Sequence, residues 1–212
     1  KPLVQQEVAD NICSLMHSFR SDEQTLVFID GFFRTMGHEW FGIDRYRLDK
    51  FMMLIRRFYR QCLTFTHKGG WKEERIQSLN ACLSKTVMHP SCEGTPVGLK
   101  THLTDIFLQE LARVHGLELT AEQAMLFLEP FFKILMKSPD PVLSASVCDN
   151  IFHLMMDLDP STTGQAADDE LGEDENRRKR RVTAEKNTMS VVEYWRKVRP
   201  AKTFLQFLLI TK

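Results

Sequence analysis

The twenty residues from Gly42 to Gln61 constrain the fold most, because they keep a helical period for about five turns. Gly42 breaks what precedes it, and Asp44 is a suitable N-cap. On a helical wheel Leu48, Phe51, Met52, Leu54, Ile55, Phe58, Tyr59 and Cys62 share one broad face. Arg45, Lys50, Arg56, Arg57 and Arg60 fall on the other, with Asp49 among them. Arg47 is the exception, since its phase points it into the apolar arc between Leu54 and Phe58. The pattern predicts one helix with a wide buried face and a basic outer face. That outer face reads either as a solvated helix surface or as a binding surface. An inward guanidinium at Arg47 reads as architectural, paired with a carboxylate. Asp44 is expected to cap, and Asp49 to pair with a neighbouring arginine.

The rest of the chain repeats the helical signal. Apolar residues at spacings of three and four predict helices over about 3–19, 23–38, 44–67, 72–88, 97–115, 121–137 and 141–156. Ser21, Asp44 and Thr120 are N-cap candidates, and Lys68-Gly69-Gly70 is a stop signal. Gly31 suggests close helix contact, and Trp71 is expected to pack the turn after the third helix. His89 to Pro96 is a loop dense in breakers. Pro130 lies inside the sixth helix and is expected to kink or split it. No run alternates as a strand would. The fold class is therefore all-α: about seven helices joined by short turns, as an irregular array of antiparallel helical hairpins. A HEAT-like α-solenoid and a compact bundle both suit it.

Composition changes after residue 157. Residues 1–157 hold 17 basic and 19 acidic residues, and residues 158–212 hold 11 and 9, segregated into blocks. Asp168 to Glu170 and Glu173 to Glu175 precede a basic run, Arg177, Arg178, Lys179, Arg180 and Arg181. Such blocks without large apolar residues do not build a core, so 158–188 reads as a disordered linker between a helical domain over 1–157 and a C-terminal segment over 189–212. That segment regains Val191, Val192, Tyr194 and Trp195, and Pro200 divides it. It suits a docking helix followed by an apolar tail. The basic run is either a solvated cluster or a nuclear-import or RNA-contacting patch.

Overall charge cancels, with 28 basic and 28 acidic residues, so no global field draws the chain to nucleic acid or membrane. No apolar run reaches the roughly 18 residues of a membrane span. The five cysteines are odd in number and form no C-x-x-C pair, which argues for a reducing compartment and against a disulfide framework. No phosphate-cradling loop, dinucleotide fingerprint or nucleophile elbow is present. His89 and Cys92 make the nearest approach to a metal pair, without two further ligands in sight. The sequence thus nominates no catalytic residue, no cofactor, no metal and no small-molecule substrate. Residue 1 is Lys, and the sequence reads as a piece of a longer chain.

The segment Phe33 to Arg56, with its core Asp44-Arg45-Tyr46-Arg47-Leu48-Asp49-Lys50-Phe51, resembles the signature of the ribosomal RNA processing protein 1 family, the nucleolar Nop-type proteins. Lys1 to Glu7, Gly70-Trp71, and Gly98 to Leu103 fit the same pattern. The resemblance covers about residues 1–157, and residues 183–212 match nothing in it. It implies a helical, non-enzymatic nucleolar factor of large ribosomal subunit assembly. Such a factor acts in pre-rRNA processing, in the preribosomal particle, by binding other assembly factors and pre-rRNA. Asp44, Arg45, Arg47, Asp49 and Lys50 carry over as signature positions. Asp44, Arg47, Leu48, Asp49 and Phe51 are expected to be mainly structural. Arg45, Lys50, Arg56, Arg57 and Arg60, together with Arg177 to Arg181, are the candidates for touching RNA or a partner. The competing reading is a helical-repeat adaptor between proteins with no RNA role.

Overall fold

The computed structural model describes residues 2–157. The linker, the C-terminal segment and the basic run Arg177 to Arg181 lie outside the described residues. Helix α1 spans Pro2–Ser14, α2 Asp22–Glu39, α3 Arg45–Lys68, α4 Glu73–Leu83, α5 Val97–Arg113 and α6 Ala121–Lys137. The last helix runs as α7, Pro141–Val147, then a π-helical stretch, Cys148–His153, then α8, Leu154–Asp157. That makes seven helices and no strand among the described residues, as the periodicity implies.

Their packing sorts them into two layers. Helix α3 lies between α1 and α5, and α5 in turn packs on α7. Helix α4 lies between α2 and α6. Consecutive helices are therefore the two arms of hairpins, and each hairpin stacks on the next, as in a short solenoid. The layers meet over an apolar core in which Phe58 is fully buried and stacks on Phe32 with ring centroids 3.6 Å apart. Phe33 meets the same ring edge-on at 5.6 Å.

The helix ends follow their local chemistry. Ser21 caps α2 by accepting from the Gln24 amide. Asp44 caps α3, accepting from the amides of Tyr46 and Arg47. Thr120 and Gln123 form a reciprocal capping box on α6. Gly70 and Trp71 take left-handed backbone after α3, and Trp71 is buried edge-on against Phe127.

Several expectations change. Helix α4 stops at Leu83, not near residue 88, and the chain turns as Met88 N donates to Leu83 O at 2.9 Å. The next loop is pinned by Lys100, whose buried ammonium donates to the carbonyls of His89 and Ser91, each at 2.5 Å. Gly31 is exposed, and a Cβ there would meet nothing within 4 Å, so no close helix contact explains it.

Pro130 does not split α6, which runs unbroken to Lys137. A proline leaves the carbonyl four residues earlier without its helical donor. That carbonyl belongs to Leu126, and Asn80 Nδ2 of α4 donates to it at 2.6 Å. The side chain of one helix thus supplies the bond that the backbone of the other lacks, and it stitches the α2–α4–α6 layer. Replacing Asn80 by Ala should cost about 1–3 kcal/mol, the penalty of an unsatisfied buried carbonyl. Pro130→Ala should recover part of that loss in the Asn80→Ala background, by restoring the amide donor. Urea unfolding of the two single variants and the double variant measures the recovery.

Candidate anion-binding surface

Helix α3 is the middle strut of its layer, so its outward face is flanked by α1 on one side and α5 on the other. Arg56 and Arg60 are one helical turn apart on that face. Both reach α5. Arg56 Nε donates to Glu110 Oε1 at 2.5 Å, and Arg60 Nε donates to Glu110 Oε2. Arg56 Nη2 also donates to Gln109 Oε1 at 2.7 Å. Arg113 Nη1 approaches Glu110 from its own helix at 3.8 Å. On the other flank Arg57 Nη1 donates to Asp10 of α1.

The electrostatics follow from burial. Glu110 is 0% exposed, and a carboxylate removed from water is tolerated only when paired and hydrogen-bonded. Both its oxygens are taken by guanidinium groups. The arginines themselves are not fully covered, since the side chains of Arg56 and Arg60 remain 31% exposed and that of Arg113 43%. Four cations, Arg56, Arg57, Arg60 and Arg113, thus share two carboxylates, Glu110 and Asp10. A positive surplus remains at the surface. Each guanidinium carries five N–H donors. Arg56 spends two of them on protein acceptors, and Arg60 and Arg57 one each. The remaining donors and the planar geometry suit phosphate or carboxylate recognition. Because Glu110 already holds the side chains, less rotamer freedom is left to lose when an anion arrives.

The candidate residues do not all gather here. Arg45 and Lys50 are exposed near the amino-terminal end of α3, and at about 1.5 Å rise per residue Arg45 lies roughly 16 Å along the axis from Arg56. The Arg45 guanidinium sits over the Tyr46 ring, 5.0 Å from its centroid.

Arg47 corrects its expectation. It is exposed, and its Nε donates at 2.5 Å to Asp44, the cap of its own helix. The hydrogen bond from Arg47 is the main cause that holds the Asp44 carboxyl below its usual range. The wheel places Arg47 inward only where a neighbour covers the helix, and in the first turn of α3 Arg45 and Tyr46 are exposed beside it. Asp49 is exposed and makes no ion pair among the described residues. Leu48 and Phe51 are half-buried, and Phe51 packs against the core.

Gln109, Glu110 and Arg113 were not foreseen. The available signal was Glu110 itself, which falls three residues after Phe107 and seven after Leu103, on the buried stripe of α5. A charged residue at such a position announces a buried pair. Among the described residues no group of three His, Cys, Asp or Glu side chains could hold a metal ion. His89 bonds within its own loop, and Cys92 faces Asp140.

A family model described as "Nucleolar protein, Nop52" matches residues 1–200. The chain belongs to this family. The match runs past residue 157 and corrects the expectation that residues 183–212 lie outside the family pattern, because it extends to residue 200. Similar curated proteins include Ribosomal RNA processing protein 1 homolog A of Homo sapiens, 38% identical over 160 residues, which are 76% of this chain and 34% of that protein. Homolog B of Homo sapiens is 39% identical over 76% of this chain and 21% of its own length. The Drosophila melanogaster homolog is 35% identical over 75% of this chain and 23% of its own. The chain thus spans about a third or less of these relatives.

The Nop52-family chain should answer differently to two substitutions at this surface. Glu110→Ala should cost about 2–4 kcal/mol in urea unfolding, because it strands the arginines that surround it. Arg113→Ala should change stability by less than about 1 kcal/mol, since its ion pair is long and solvated.

Proposed function

We propose that this chain is the helical part of a non-catalytic rRNA-processing factor that acts in the nucleolus on precursors of the large ribosomal subunit. It works by binding pre-rRNA and other assembly factors of the preribosomal particle. The family match and the names of the relatives support the rRNA-processing role, and the family's description supports the nucleolar site. The observation that carries the RNA contact is the Glu110-ordered arginine cluster, which presents surplus guanidinium donors on one rigid face. In this reading Arg56, Arg60 and Arg113 contact phosphates, Arg57 flanks them, and Arg45 and Lys50 extend the basic line along α3. Arg177 to Arg181 add a second basic element suited to nuclear import or to RNA. No cofactor, small-molecule substrate or membrane takes part.

A protein-only adaptor is the second reading, and one observation favours it: Glu110 and Asp10 already consume part of the arginine charge. A salt titration separates the two. Binding of a fluorescent single-stranded RNA should weaken steeply as salt rises. In Arg113→Ala the slope of log affinity against log salt should shrink by about 0.7–0.9, one phosphate contact. RNA affinity that is absent, or that ignores both salt and Arg113, would favour the adaptor.

A further inference from the structure

Where α3 and α5 end, four rings form a column from the core to the surface. Phe127 of α6 meets the buried Trp71 edge-on, and Trp71 tilts against His67 with ring centroids 5.1 Å apart. His67 stacks on His115, also at 5.1 Å and only 16° from parallel. The outermost ring is open. The His115 side chain is 66% exposed and has one face on His67, so its other face meets solvent. Glu118 lies 3.6 Å from His67 Nε2 and 3.5 Å from His115 Nδ1. Those nitrogens are at the ring edges, so the carboxylate orients both rings.

Backbone strain converges on this column. Among the described residues, Trp71 and His115 are the two non-glycine positions with left-handed backbone, at φ of 55° and 57°. Both stack on His67. His115 is the first residue past the C-cap of α5, where glycine is the usual occupant because it has no Cβ. The neighbouring Gly116 does not take that role. A Cβ there would meet Leu111 O at 2.5 Å, so Gly116 serves a close backbone approach and the left-handed step falls on an imidazole. Strain of this kind gathers at functional sites.

The column also continues the arginine line. His67 falls eleven residues after Arg56 and seven after Arg60. On a wheel it lies within about 20° of both. At 1.5 Å per residue it is about 10 Å further along α3 than Arg60. His115 follows Arg113 by two residues. Guanidinium donors and an open aromatic face thus share one side of the α3–α5 pair. That combination suits single strands, because basic groups track the phosphates while flat side chains, histidine among them, stack the unpaired bases.

We propose that His115 is a stacking platform for an unpaired base of single-stranded RNA whose phosphates lie on Arg56, Arg60 and Arg113. The assignment rests on the RNA contact proposed above. His67 and Trp71 are positioning residues that support the ring from beneath, and Glu118 sets its orientation. A double helix keeps its bases stacked on each other and offers none to His115, so the site selects single strands.

Binding of a short oligoadenylate to the full chain, beside an abasic oligomer of the same length and backbone, tests the platform. His115→Gly removes the ring and suits the left-handed backbone, so circular dichroism and the urea midpoint should not fall. Its affinity for oligoadenylate should drop at least about fivefold, the loss of one base stack. Its affinity for the abasic oligomer should not change. The slope of log affinity against log salt should also stay as in the wild type, since a stack releases no counterions. His115→Tyr keeps a flat ring and should hold oligoadenylate affinity within about twofold. An unchanged oligoadenylate affinity in His115→Gly, an equal loss for the abasic oligomer, or an equal loss in His115→Tyr would overturn the platform and leave the arginine contact standing. A wild-type chain that binds neither oligomer would overturn the platform together with the RNA contact on which it rests.

Discussion

Glu110 is the constraint on which the outer layer depends. A carboxylate with no exposure forces cations to come to it, and α3 supplies two of them from successive turns. That requirement fixes the register of α3 against α5 more sharply than apolar contact does, because slipping α3 by a turn would leave one guanidinium or one carboxylate oxygen unmet. The same interaction leaves its mark outside. Holding three arginines around one acid creates a positive face whose side chains are already ordered. Stability, and in the proposed function recognition as well, therefore rest on one side chain, which has no contact with solvent.

The rest of the stack repeats this logic in weaker form. Each seam within a layer carries a polar bond beside its apolar packing. Arg57 meets Asp10 between α1 and α3, and Asn150 meets Asp105 between the last helix and α5 at 2.6 Å. Arg75 forks onto Asp22 between α4 and α2 at 2.7 and 2.8 Å. Asn80 meets Leu126 between α4 and α6. Apolar faces alone would let hairpins slide, since hydrophobic burial is not directional. The polar bonds choose one stacking.

Helix identity and most caps were legible in the sequence because they are local. Ser21, Asp44 and Thr120 act within three residues of themselves, so spacing alone reveals them. What was hidden depends on a neighbour far along the chain. Arg47 reads as inward from its phase, yet nothing covers its turn and it folds back on Asp44. Pro130 reads as a break, yet Asn80, fifty residues earlier, repairs it. The arginines of α3 read as one basic face, yet the structure divides them between Glu110 and Asp10 and leaves Arg45 and Lys50 apart. Glu110 was visible as a charge on an apolar stripe, but its partners were not. The nucleolar family resemblance was legible from the residues around Asp44 to Phe51, and these lie at the exposed start of α3, away from the arginine cluster.

In the proposed function, the surface that Glu110 organises is the one that meets RNA in the particle. Ultraviolet crosslinking inside purified large-subunit precursors, with the crosslinked peptides mapped to residues, tests this directly. RNA adducts should concentrate on the peptides that carry Arg56 to Arg60 and Gln109 to Arg113. Adducts confined to other parts of the chain, with protein–protein crosslinks covering that face, would contradict the account.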